Sequence, residues 1–262
     1  MNHHRLFRHR VRHFTLFALS AILLMAFLCT PPSQAAVDHS VWDALLRRYV
    51  DAEGRVAYRD LQTKDATAFA QYLQTLAAAQ VDNLSEAEEK ALWLNAYNAV
   101  IVKGVLDGYT AEGWLSRKRL FSWYSIPVAG QARTPDEIEH EILRKKFRDP
   151  RIHFAIVCAS TSCPKLRPEA YVPERLDQQL DDAARAFVND PQRNRVVAGN
   201  VAVSMIFKWF AQDFIDDAGS VWQFVQRFVA EDKKDVLKGD AGQLQYLEYD
   251  WTLNAQKGQR VS

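Results

Sequence analysis

Residues 91–102 read ALWLNAYNAVIV, a run whose apolar side chains fall on nearly every side of a helix. A surface helix shows a single apolar stripe, whereas a helix that is apolar all round has to be buried. Any fold for this chain must therefore wrap other elements around this segment. Its start is also marked. Ser85 and Glu88 have the spacing of a capping box, in which the serine accepts from the first turn and the glutamate reaches back. Within the apolar run stand Asn95 and Asn98, three apart and so on one face. A buried amide left without partners costs about 1–3 kcal/mol. Each asparagine must therefore either tie a neighbouring loop to the helix or serve a site by orienting a base or binding an oxyanion.

The surrounding pattern predicts more helices, over 40–50, 65–79, 134–147, 171–188 and 221–230. At 134–147 Thr134 caps, Pro135 takes the first helical position and Glu137 completes a second box. The run RIHFAIV at 151–157 is short and rich in β-branched and aromatic residues, which predicts a strand. NRVVAGNVAVS predicts a hairpin about Gly199-Asn200, and LQYLEYDWTL at 244–253 a late strand. Many helices with scattered strands indicate the α+β class, a single mostly helical domain around a small sheet.

The first residues carry Arg5, Arg8, Arg10 and Arg12, then an apolar run at 14–29, then TPPSQAA. A basic start, an apolar middle and a small-residue exit describe a secretory signal peptide cleaved after Ala35, and hence a periplasmic or secreted protein. The run is short of the roughly 20 residues that span a bilayer, so no stable membrane insertion is expected after cleavage. Residues 36–262 then read as one domain. Losing 1–35 removes four of the 33 Lys and Arg and none of the 32 Asp and Glu, taking the net charge from +1 to about −3. Such a chain has no general attraction for nucleic acid or for an anionic membrane, and the short SRKR at 116–119 reads as a solvated loop rather than a binding patch. Cys29 and four histidines leave with the leader. Cys158, Cys163, His39, His140 and His153 remain, and His39 lies near the new end, where chains are commonly mobile.

No dinucleotide, P-loop, zincin or nucleophile-elbow motif occurs, so no cofactor and no metal is expected. On the predicted helix at 134–147, Ile138, Ile142, Leu143 and Phe147 form an apolar arc. Glu139 falls near its middle and His140 at its edge. A carboxylate there must be half-buried or paired. On a regular strand, His153 and Cys158 would point to opposite faces. Cys163 follows the strand with Lys165 and Arg167 close behind, and positive neighbours favour a thiolate. Three readings of this stretch stay open. Cys163 is a nucleophile with His140 as base and Glu139 or an asparagine as orienting group. Alternatively, Cys158 and Cys163 form a disulfide, as export would permit. Or the two cysteines and two histidines hold zinc, against which the spacing argues.

The blocks ALWLNAYNAVIVKGVL, DEIEHEILRKKFRDPRIHFAIVCASTSCPKLRPEAY, VSMIFKWFAQDF and YLEYDWTLN together resemble the domain-of-unknown-function family numbered 547 (DUF547), over roughly residues 85–254. The resemblance implies no established activity. A buried helix followed by a histidine-bearing strand is loosely similar to papain-like and transglutaminase-like folds. There the helix carries the nucleophilic cysteine, whereas here it carries Asn95 and Asn98. The expectation is an exported thiol-dependent hydrolase or acyl transferase acting on amide or peptide-like substrates. Its catalytic group would be Cys163, His140 and Glu139, and its binding residues Asn95, Asn98, His153 and Cys158. The alternative is a non-catalytic periplasmic module that binds a small molecule or peptide, its loop closed by a Cys158–Cys163 disulfide.

Overall fold

The computed structural model describes residues 36–197, 200–237 and 244–261. The expected leader at 1–35 and Gly199 of the expected hairpin lie outside these residues. The described part opens with helices α1 (Ser40–Tyr49), α2 (Tyr58–Lys64), α3 (Ala66–Ala78) and α4 (Glu86–Leu106). The Ser85 amide donates to Glu88 Oε2 at 2.7 Å, and the Glu88 amide to Ser85 Oγ at 3.3 Å, closing the capping box. Every residue of 91–102 is buried. Against α4 pack the first helices, where Trp42 stacks on Tyr72 at 5.5 Å and on Phe69 at 5.7 Å. His39 is not a loose end: it is buried, with Nδ1 2.8 Å from the Tyr72 hydroxyl.

Next come α5 (Trp114–Lys118), a π-helical turn at Arg119–Trp123, and the antiparallel pair β1 (Ile126–Val128) and β2 (Gln131–Arg133). Helix α6 (Glu137–Phe147) starts at the Thr134–Glu137 box but winds as a π-helix. Its buried residues are Ile138, Glu139 and Leu143, so Glu139 does face inward. A 3-10 turn at Pro173–Arg175 leads into α7 (Leu176–Asn189). Strands β3 (Arg195–Val197) and β4 (Asn200–Val203) pair antiparallel, as a hairpin should. Short helices α8 (Ile206–Trp209), α9 (Ala211–Ala218) and α10 (Val221–Phe228) follow, then a 3-10 segment at Glu231–Leu237. Finally β5 (Gln245–Tyr246) joins β4 in parallel. The result is a mostly helical α+β domain, with two small sheets among the described residues. Its second core is aromatic: Phe154 lies 4.9 Å from Phe187 and 5.6 Å from Phe207, and Phe214 lies 4.7 Å from Phe224.

Two strand expectations need correction. Residues 151–157 are not a strand. Pro150–Phe154 is a 3-10 helix, with Pro150 at its start and the Asp149 side chain accepting from the Arg151 amide. Beyond it the backbone finds side-chain partners instead of a neighbouring strand: Asn98 Nδ2 donates to Ala155 O, and the Val157 amide donates to Asn98 Oδ1, both at 3.0 Å. Buried backbone groups need partners, and a side-chain amide supplies them as well as a ladder does. The apolar, β-branched composition here reflects burial rather than pairing. In the late segment only Gln245–Tyr246 is strand. Residues 250–254 instead brace the cysteine loop, with Thr161 and Ser162 amides donating to Thr252 O and Asp250 O and the Asn254 amide to Ala159 O.

Candidate functional site

The 3-10 turn changes which side chains meet. His153 and Cys158, on opposite faces of a regular strand, here line one cavity together with Glu139 and Cys163. This cavity of about 160 Å³ is walled largely by rings, among them Tyr97, Phe121, Trp209, Phe210, Tyr249 and Trp251. Asn95, Asn98 and His140 do not line it. Asn95 clamps Tyr171, donating to its carbonyl at 2.8 Å and accepting from its amide at 3.0 Å. Asn98 clamps residues 155–157 in the same way. His140 Nδ1 accepts from Arg144 Nη1 at 3.1 Å, one turn along α6.

His153 is the histidine of the cavity. Its ring lies against Phe210, centroids 3.9 Å apart, and Nε2 is 2.7 Å from Asp213 Oδ2. Asp213, on α9, is held in turn by a two-pronged Arg144, with Nε–Oδ2 at 2.7 Å and Nη2–Oδ1 at 2.8 Å. Burial opposes charge on Asp213, yet hydrogen bonds from Arg144 and His153 keep its carboxyl well below the usual range. Burial lowers the His153 pKa, with Asp213 pulling the other way. A neutral imidazole whose Nε2–H donates to Asp213 carries its free lone pair on Nδ1. That Nδ1 is buried and has no hydrogen-bond partner. Glu139 Oε1 is its neighbour at 3.8 Å, beyond hydrogen-bonding reach. Burial pushes the Glu139 pKa up to about 8, against the pull of Arg144 and the Tyr97 hydroxyl, which donates to Oε2 at 3.3 Å. At neutral pH Glu139 is therefore largely uncharged.

Both cysteines are free thiols. Ala159 between them adopts φ +57°, in the left-handed region that is uncommon for a residue with a side chain. The curled loop aims backbone at sulfur: the Cys158 amide donates to Cys163 Sγ at 2.7 Å. Burial resists ionisation of Cys163, but hydrogen bonds from the Cys158 thiol and amide, the Tyr249 hydroxyl and the Ser160 backbone outweigh it and lower its pKa. Cys158 goes the opposite way, raised by burial and by its neighbour Cys163. Its sulfur is engaged by Ser160 Oγ at 2.9 Å and the Tyr249 hydroxyl at 3.3 Å. Converging amides of this kind form an anion-binding nest. The positive neighbours read from sequence, Lys165 and Arg167, are not among the main causes of the shift.

Thus four of the expected site residues, Glu139, His153, Cys158 and Cys163, come together, while His140, Asn95 and Asn98 stand apart. Sequence reasoning missed Asp213, Tyr249 and Trp251. Their only signal was membership of the family-like blocks VSMIFKWFAQDF and YLEYDWTLN; nothing local ties Asp213 to a histidine 60 residues earlier. Among the described residues no group of three or more His, Cys, Asp and Glu is arranged to hold a metal ion. No curated protein and no solved structure matches the chain. A family model does match, over residues 81–188, a span that holds Glu139, His153 and both thiols and stops short of Asp213. Over that span the chain is similar to the family described as protein of unknown function, DUF547.

Proposed function

We propose that the cavity is the active centre of a thiol-dependent hydrolase or acyl transferase acting on amide or peptide-like substrates. Cys163 is the nucleophile, His153 the base, and Asp213 the group that fixes the histidine. His153 replaces His140 in the role read from sequence. The observation that carries this reading is the buried, unpartnered Nδ1 of His153, opposite a nitrogen already bound to Asp213. Buried polar atoms without a partner are rare and call for an explanation. A base waiting for a substrate or a thiol is one. In the first step the Cys163 sulfur attacks the carbonyl carbon, and its proton passes to His153 Nδ1. The tetrahedral adduct collapses as the leaving amine takes that proton, giving a thioester. Water or an acceptor amine then gives its proton to Nδ1 and attacks the thioester, and the Cys163 sulfur leaves and takes that proton back from Nδ1. Neither sulfur hydrogen-bonds to His153 in the free protein, and such contacts commonly tighten only when substrate binds. Uncharged Glu139 beside Nδ1 is placed to donate a hydrogen bond to an incoming carbonyl or amine.

The chain's basic start and apolar run at 14–29 support export, with work outside the cytoplasm once 1–35 is removed. A second reading, a non-catalytic binding module closed by a Cys158–Cys163 disulfide, is favoured by the closeness of Cys163 Sγ to the Cys158 backbone. Acylation with 4-nitrophenyl acetate separates the two. The active-centre reading expects a single acetyl group, mapped to Cys163, lost in Cys163→Ser and kept in Cys158→Ser. Its release should slow at least tenfold in His153→Gln. An unacetylated protein whose thiols appear only after reduction would support the binding module.

A further inference from the structure

We propose that the segment 113–126, GWLSRKRLFSWYSI, is a docking surface for an anionic lipid bilayer. Three of its large apolar side chains face solvent: Trp114 is 69% exposed, Trp123 59% and Leu115 44%. The segment is not loose, because Leu120 is fully buried and packs so closely on Gly104 of α4 that a Cβ there would meet its Cδ1 at 2.5 Å. The exposed rings are therefore presented by a fastened turn. Lys118 sits between them, with Nζ 5.9 Å from the Trp114 ring and 5.8 Å from the Trp123 ring. The segment holds Arg117, Lys118 and Arg119 and no acid, and neither Lys118 nor Arg119 has a carboxylate partner among the described residues. Indoles favour the headgroup level of a membrane, and adjacent cations add attraction to anionic lipid. A sugar would also stack on exposed indole; what favours lipid is that the side chain set near both rings is a cation, Lys118, although the carboxylates of Glu112 and of Asp136, which accepts from Ser122, flank the segment.

Attachment through the rings and cations of one surface turn is peripheral; among the described residues no helix is long and apolar enough to cross a membrane. The patch adjoins the cavity: Phe121 lines it, and the Arg117 guanidinium lies 4.4 Å over the ring of Trp251, which also lines it. Docking would bring the cavity mouth to the lipid surface, whatever chemistry occurs inside.

The test is quenching of tryptophan fluorescence in the full chain by brominated phosphatidylcholine vesicles, with and without phosphatidylglycerol. Residues 1–35 contain no tryptophan, so the quenched rings lie in the rest of the chain, and the double tryptophan variant keeps the apolar run of 14–29 while removing the patch. Quenching should require phosphatidylglycerol and be largely lost in Trp114→Phe/Trp123→Phe. Lys118→Gln/Arg119→Gln should raise the lipid concentration for half-maximal quenching by roughly thirtyfold. All four substitutions are at the surface, and unchanged circular dichroism would exclude unfolding. Quenching that survives the double tryptophan variant, or an absence of quenching alongside ring protection by a soluble oligosaccharide, would overturn the proposal.

Discussion

Two sets of buried polar groups lie within one core and behave in opposite ways. On α4, Asn95 and Asn98 each satisfy a backbone carbonyl and a backbone amide, leaving the groups that clamp the loops fully paired. In the cavity, His153 Nδ1 has no partner, Glu139 has a 3.3 Å bond from Tyr97, and Cys163 is drawn toward the thiolate by the Cys158 thiol and amide. Burial is common to both sets and separates nothing. Saturation separates these two sets, and the cavity gives it meaning: Trp42 Nε1, Arg133 Nε, Arg167 Nε and the Tyr171 hydroxyl are also buried without partners, but only His153 Nδ1 belongs to a residue that lines the cavity.

The sharpest way to break this contrast is at α4. Asn95→Ala strips both partners from the Tyr171 backbone and should cost about 2–5 kcal/mol, read from urea melts. It should leave Cys163 reactivity in the folded protein unchanged. A neutral effect on stability, or lost reactivity without lost stability, would erase the distinction.

Glu139→Gln should act with the opposite sign. The folded-state pKa of Glu139 is raised to about 8, above an unfolded value near 4.3, so the folded chain holds a proton that the unfolded chain has released. The stability this provides is full below the unfolded pKa and is lost as pH rises through the folded one. Glutamine does not titrate. The variant should match the wild type near pH 4 and exceed it at pH 9 by a few kcal/mol, as urea melts at the two values would show.

Asp213→Asn has a smaller effect on stability, about 1 kcal/mol, since both it and Arg144 are part-exposed and solvent screens their pair. Its effect on the thiol should be larger: without the carboxylate to fix the Nε2–H tautomer, acetyl release from Cys163 should slow markedly. Cys158→Ser is the mildest change, under about 1 kcal/mol, because a hydroxyl can keep the contacts to Ser160 and Tyr249. Equal destabilisation by Cys158→Ser and Cys163→Ser would instead favour a disulfide.

The readable parts of the molecule were those whose cause is local. The capping boxes at Ser85 and Thr134, the all-apolar run of α4, the 3.6-residue pattern of α7 and the inward Glu139 all rest on neighbours within a turn or two. The turn at 150–154 was misread because its partners are remote: Asn98, more than 50 residues earlier, supplies the hydrogen bonds a strand would have needed. The site failed in the same way. His140 stands beside Glu139 in sequence, yet His153 stands beside it in space, and Asp213 reaches His153 only because the aromatic core folds α9 against that turn.

The central claim, that an ionisable Cys163 and a waiting His153 form one reacting pair, is tested most directly by the pH dependence of iodoacetamide labelling, resolved by peptide mapping. The account predicts that Cys163 labels in the native protein with a midpoint below the ordinary cysteine value of about 8.5, and that Cys158 stays unlabelled over the same range. In His153→Gln the Cys163 profile should change shape. Faster labelling of Cys158, or a Cys163 midpoint at or above the ordinary value and unaffected by His153→Gln, would contradict it.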